Sequence, residues 1–399
     1  MLVRIAAVAA LAVGVGACST LPRNGVPPEL AGSAAIPGMV DIRASAGRPS
    51  EAMTADLARS FEQESAEDFP VGADGVVRYA HLALSGGGAN GAFGAGFING
   101  WTASGKRPVF KIVTGVSTGA LMAPFAFLGP QEDDALREFY TTTASRNVFR
   151  MLSILPQLLG GESFADTTPL RSLIEQHVDA ALLEAIVGAH KRGRRLYIGT
   201  VDLDSQRLVV WNMGLIAASE RPEALDLFRN VMLASASVPV AFPPVLFSVV
   251  AGGAYYDEMH VDGAVAARVF YNGGVMSFSA AREGHGRAVG REDVFVIHNG
   301  QLLPEPEVTR RSVRSIALRA FDSASKWAVV GDLFRIYALT LREQASFQWV
   351  TIPEGVDLTG EQVFDPVLMG KLYELGFETA RRGPPWSTVP PSLRQADAP

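Results

Sequence analysis

With 399 residues, 48% of them hydrophobic and 19% charged, the chain has the material for a large buried sheet and lies far from the composition of a disordered polypeptide. A net charge of −6, with lysines and arginines scattered rather than banded, argues against nucleic acid as a partner. Small or lipidic substrates suit this balance better, and no calcium loop or Cys/His cluster in the sequence points to a metal or other cofactor.

The first seventeen residues, MLVRIAAVAALAVGVGA, carry one early cation at Arg4, an uncharged apolar run, and small residues leading into Cys18. That is the pattern of an export signal, and it stops short of the ~20 apolar residues of a membrane-spanning helix. The V-G-A-C ending resembles a bacterial lipobox, in which the cysteine becomes the acylated first residue of the mature protein. Cys18 is the only cysteine in the chain, so no internal disulfide competes for it. The resemblance implies lipid anchoring in the bacterial cell envelope, on the periplasmic side of the outer membrane, with the membrane surface as a partner. The plainer alternative is an ordinary secretory signal. Residues 18–75 are rich in Pro, Gly, Ala and Ser without a sustained period, and read as a flexible tether with one short helix near residues 51–67.

The folded domain is expected over residues 76–383. Tyr79–Ser85 reads as a buried strand, Gly91–Ser104 as a helix and Val109–Thr114 as a second buried strand, a succession that implies a parallel pair. Helical patterns follow at 132–144 and 169–190, strands near 195–201 and 207–211, a helix at 222–234 and a strand at 293–297. Long helical stretches then cover 308–344 and 366–381. Alternation of this kind predicts an α/β layered domain with a largely parallel central sheet. The Pro-rich tail, 384–399, reads as disordered.

Chemistry is concentrated in two glycine-rich turns. ALSGGGANGAFGAGF (83–97) contains G-x-G-x-x-G at Gly86, Gly88 and Gly91, the phosphate-cradling pattern of dinucleotide folds. Such a site needs an acidic residue about 20 positions onward, yet no Asp or Glu occurs between Asp74 and Glu132. GWTASGKR, with Gly100, Gly105 and Lys106, mimics a P-loop but has Arg107 where the metal-binding hydroxyl belongs, and reads as a helix C-terminus. The second strand instead delivers KIVTGVSTGALMAPF, with Gly115, Ser117 and Gly119 in G-x-S-x-G. A serine on a sharp strand-to-helix turn has its hydroxyl thrust out at the carboxyl end of the sheet, which is the geometry of a nucleophile elbow. One helix and one strand fill the gap between Gly91 and Gly115, so both turns should open on the same sheet edge. The amides of Gly86, Gly87 and Gly88 are then placed to bind an oxyanion.

A serine hydroxyl needs a base. YYDEMHVDGAVAARVF offers Asp262, followed by Gly263 and Ala264. Taken together, the glycine loop, the G-V-S-T-G elbow, the LASASVPVAFPPV segment (233–245) and D-G-A resemble the patatin-like phospholipases over about residues 79–265, in that family's order. The resemblance implies a three-layer α/β/α fold and a serine acyl hydrolase acting on lipid or other acyl esters. It further implies Ser117 as nucleophile, Asp262 as base and Gly86–Gly88 as the oxyanion loop. One departure is Asn90, where the family usually carries Arg or Lys; Asn90 is expected to cap the following helix. Two other readings compete. One is a Ser–Asp–His triad using His285 or His298, and the other is a non-catalytic envelope lipoprotein that binds lipid or a protein partner. The apolar run 151–160, beside Arg146 and Arg150, is a candidate flap or membrane-contacting segment.

Overall fold

The computed structural model describes residues 21–153, 161–284, 290–303 and 306–391. The predicted signal, Cys18, His285, most of the 151–160 run and the last eight residues of the tail lie outside the described residues.

In chain order the main elements begin with β1 (Arg43–Ser45), α1 (Glu51–Glu62), β2 (Val77–Leu84), α2 (Gly91–Ala103), β3 (Phe110–Val116) and α3 (Thr118–Leu128). Next come α4 (Asp133–Thr142), the small hairpin β4 (Arg150–Met151) and β5 (Ala165–Asp166), α5 (Thr168–His177) and α6 (Ala180–Lys191). The chain continues through β6 (Arg195–Asp202), β7 (Arg207–Asn212), α7 (Ala224–Ser235), β8 (Val245–Ala251) and β9 (Ala254–Asp262). It ends with β10 (Gly290–His298), α8 (Val313–Glu343), β11 (Ser346–Thr351) and α9 (Pro366–Arg382). The centre of the sheet, in spatial order β6-β3-β2-β10-β11, is parallel throughout. Antiparallel strands extend it at one side, where β7 and β9 both pair with β6, β1 pairs with β7, and β8 pairs with β9.

Both faces of the central strands are buried, as a parallel sheet requires. On β3 and β6, Val113, Leu196 and Ile198 join the core beneath α2, α3, α6 and α7, while Ile112, Val116, Tyr197 and Val201 point into the opposite layer. That period of two places helices on each side of the sheet and yields the expected α/β/α arrangement. The predicted helix 169–190 is two helices, because Asp179 ends the first turn sequence and caps the second through Leu182 N–H at 2.9 Å.

Two terminal segments depart from expectation. Residues 21–75 do not form a tether. Met53, Leu57 and Phe61, spaced along one side of α1, are buried against Tyr79, Tyr197 and Phe278. Asp56, also on α1, takes two bonds from the buried Arg195 guanidinium at 2.7 and 3.1 Å, and Glu64 meets the buried Lys111 ammonium at 2.7 Å. Cations standing on central strands would be unsupportable in an apolar layer without these carboxylates, so the N-terminal segment completes the fold. The start of the tail is also packed: Trp386 lies against Trp101 and Phe295, and Ser387 exchanges backbone hydrogen bonds with Trp349.

Candidate active site

Ser117 stands at the junction of β3 and α3 with φ 56° and ψ −127°, a backbone region that L-residues avoid and that stores roughly 1–3 kcal/mol of strain. The glycines around it explain how the turn closes. A Cβ on Gly119 would lie 2.3 Å from the Leu84 carbonyl oxygen, so only glycine lets α3 start this close to the end of β2. Ser117 N–H donates to Ser235 Oγ at 3.0 Å, and that hydroxyl donates to Gly199 O at 2.7 Å. Ser235 thus ties the elbow to β6. Downstream, α3 is buried along its whole length, as core packing of LMAPFAFL requires.

Asp262 is the last residue of β9 and pairs with Thr200 of β6, the strand that flanks β3. This antiparallel return carries the carboxylate to the carboxyl end of β3 from 145 residues away, and Ser117 Oγ donates to Asp262 Oδ2 at 2.6 Å. The second carboxylate oxygen accepts the Ala264 N–H at 2.8 Å, and Asp262 N–H donates to Ser237 O at 2.9 Å. Gly263 allows the turn to pass over β6, since a Cβ there would lie 2.4 Å from Gly199 O. Burial pushes the Asp262 carboxyl up to about 6; the Ser117 hydroxyl, the Ala264 amide and the more distant charge of Arg268 pull the other way. A carboxyl poised there is a base near neutrality.

The glycine turn lies beside the pair. A Cβ on Gly86 would sit 3.1 Å from Ser117 Cβ and 3.7 Å from its Oγ, so the bare backbone forms the wall nearest the hydroxyl. The Gly86 N–H, however, donates to Arg268 O at 3.0 Å and is unavailable to an oxyanion. Gly87 and Gly88 are half-exposed, and among the described residues no partner is found for either amide as the chain enters a 3-10 turn over Gly88–Asn90. Of the three amides expected to face an oxyanion, Gly86 is thus already bonded within the chain. Gly91 packs on Thr118 and Tyr140, seating the start of α2 against the elbow helix.

Other expectations are corrected. Asn90 occupies the N-cap of α2, but its side chain makes no capping bond. Of the two histidines of the triad reading, His285 lies outside the described residues and His298 is not bonded to the pair: its Nδ1 lies 3.1 Å from Ser85 Oγ, and no bond joins it to Ser117 or Asp262 among the described residues. Burial, helped by the charge of Arg268, holds its ring down to about 3, so it is neutral. GWTASGKR is a helix end, with Gly105 at φ 70° just beyond α2. Residues that sequence reasoning missed are Ser235, Ser85, Arg268 and Asn299. Ser235 and Ser85 lie inside the LASAS and ALSGGG segments noted above, whereas Arg268 and Asn299 carry no local signal.

Around this end of the sheet several apolar side chains face solvent. Val240 is 66% exposed and Met151 64%, and the backbone joins them through Leu152 N–H to Phe164 O and Phe164 N–H to Val240 O. Val240 holds φ 72°, which is an outlier for a β-branched residue. Val265, three residues past Asp262, is 54% exposed.

Residues 82–272 match the family model described as patatin-like phospholipase. No curated protein matches the sequence. Among solved structures, VipD from Legionella pneumophila is similar over 79% of this chain and 69% of its own, at 11% identity and a TM-score of 0.38. A structure of full-length SpcU in complex with full-length ExoU, from the type III secretion system of Pseudomonas aeruginosa, is similar over 76% of this chain, at 17% identity and a TM-score of 0.30. The chain spans 51% of the length of that second match.

Proposed function

Because residues 82–272 match the family model described as patatin-like phospholipase, we propose that this chain is a serine acyl hydrolase that cleaves acyl esters of membrane lipids with Ser117 and Asp262. The observation that carries the reading is the 2.6 Å hydrogen bond from Ser117 Oγ to Asp262 Oδ2. As Oγ attacks the ester carbonyl, its proton passes to Asp262, and the tetrahedral oxyanion takes the Gly87 and Gly88 amides at the mouth of α2. Collapse breaks the C–O bond, the departing alcohol takes the proton from Asp262, and an acyl-Ser117 ester remains. Water then gives a proton to Asp262 and adds to that ester; release of fatty acid returns the proton to Oγ.

A lipid substrate is supported by the family and by the exposed apolar rim of Met151, Val240 and Val265. Acylation of Cys18 would hold this rim at an envelope membrane, and metabolic labelling with a fatty-acid analogue checks it: label should be present in the wild type and absent in Cys18→Ser. The reaction itself is tested with a fluorescent fluorophosphonate and by lipid product analysis. Labelling of wild type but not Ser117→Ala, with free fatty acid released from phospholipid vesicles, is expected. An unlabelled wild type that also leaves short-chain nitrophenyl esters intact would favour the lipid-binding lipoprotein instead.

A further inference from the structure

We propose that Asn299, the residue following β10, is the positioning residue of the glycine turn, fixing where the Gly87 and Gly88 amides lie relative to Ser117. The inference rests on the hydrolase reading above. Asn299 is 1% exposed and grips the chain just ahead of those glycines at two points. Its backbone N–H donates to Ser85 Oγ at 2.8 Å, and its side-chain Nδ2 donates to Ser85 O at 2.9 Å. Ser85 Oγ in turn donates to Gly86 O at 2.7 Å, with His298 Nδ1 at 3.1 Å. A hydroxyl has one proton and two lone pairs. With the proton on Gly86 O, the lone pairs receive Asn299 N–H and His298 Nδ1–H, and the Ser85 hydroxyl is saturated.

The fit is also steric. A Cβ on Gly87 would lie 2.2 Å from Asn299 O and 2.6 Å from its Cβ, and a Cβ on Gly94 would lie 2.4 Å from Asn299 Oδ1. Asn299 is therefore wedged between the glycine turn and the start of α2: its backbone requires glycine at position 87, and a side chain at position 94 would displace its carboxamide. Opposite this wedge, Gly86 N–H is held by Arg268 O, and Arg268 N–H is itself held by Asp332 Oδ2 at 2.6 Å. The near end of the turn is thus clamped from both sides. Donors fixed in advance need no reorganisation when charge develops on the substrate oxygen, and small displacements of them are costly to rate. His298, the residue that the triad reading would make a base, here supports the clamp through Ser85.

The test uses the full chain and separates positioning from folding. Asn299→Asp keeps the shape but replaces the Nδ2 donor with an oxygen facing Ser85 O. Per active site titrated with fluorophosphonate, kcat on a short-chain nitrophenyl ester should fall about 10–100-fold with KM within threefold of wild type. Affinity for a trifluoromethyl ketone, which forms an oxyanion on Ser117, should fall by the same factor as kcat/KM, while affinity for the matching secondary alcohol is unchanged. Ser85→Ala, which deletes the junction of the clamp, should reproduce this signature and serves if the Asn299 variant does not fold. Wild-type kcat per titrated site and wild-type ketone affinity in the folded variants would overturn the inference and leave the hydrolase reading standing. A wild type that fluorophosphonate does not label would instead remove the hydrolase reading.

Discussion

Asp262 and Asp56 are both buried carboxylates held against the central sheet, and their surroundings are opposite. Asp56 receives the Arg195 guanidinium on both oxygens, with Asn212 Nδ2 at 2.8 Å and the Arg59 guanidinium at 3.4 Å as further donors. The Asp262 carboxylate instead accepts from one hydroxyl and one amide, both neutral donors. The Asp56 carboxylate is taken up by structural bonds to the guanidinium, whereas the Asp262 carboxyl, left to neutral donors in a dry site, keeps its proton affinity high. The first arrangement serves the fold and the second leaves a group able to exchange a proton.

The sharpest way to break this contrast is to disable each carboxylate and measure stability and turnover together. Ser117→Ala and Asp262→Asn should each lower kcat on ester substrates by about 10³-fold or more while the thermal unfolding transition is retained. Because the base must be ionised, wild-type kcat/KM should rise with pH through about 6 and then level off. An activity limb lying well below that value would show that Asp262 is not the group being titrated.

Asp56→Ala should behave in the reverse sense. Removing one partner of a buried pair strands the Arg195 charge, so denaturant unfolding should show a loss of about 3–5 kcal/mol, with kcat per titrated active site close to wild type. Loss of turnover per site with little loss of stability would erase the distinction between the two regions.

A third measurement sets the sign of the electrostatics. Burial raises the folded-state affinity of Asp262 for its proton, so its contribution to stability is complete below the unfolded-state pKa near 4 and is lost as pH rises through about 6. Asp262→Asn, a neutral near-isostere, should therefore gain on wild type between pH 4 and pH 8, by about 3 kcal/mol in the limit of the full shift. A difference independent of pH would mean that the carboxyl is not held in a desolvated site. The smallest effect concerns the rim. Val240→Gly should relieve the positive-φ strain and stabilise by about 1 kcal/mol, while lowering turnover on vesicles more than on a soluble ester.

The chemistry-bearing turns were legible because their signals are local. Gly115, Ser117 and Gly119 sit between an apolar strand and an apolar helix, and no residue elsewhere is needed to recognise a strand-to-helix turn there. Within 21–75 the helix near 51–67 was legible and is α1, but its packing against the sheet was not, for the converse reason. The Pro, Gly and Ala content of the region suggests a tether, and the acids Asp56 and Glu64 acquire meaning only beside Arg195 and Lys111, which belong to strands far along the chain. The β8–β9 return was likewise unread, although it delivers Asp262. Pro222–Ala234 and Val308–Gln344 were legible as helices, with ends shifted by a few residues.

Taken alone, the sequence determined the strand–turn–helix units, the serine at the sharp turn, and the glycines that let backbone pass close to backbone, since period and steric bulk act within a few residues. Tertiary structure alone decided that Asp262 meets Ser117, that Arg268 takes the Gly86 amide out of use, and that His298 and Asn299 serve the glycine turn through Ser85. Which acceptor a buried donor finds, and how dry a carboxylate becomes, depends on what the folded chain packs around it, and that information is spread over the whole molecule.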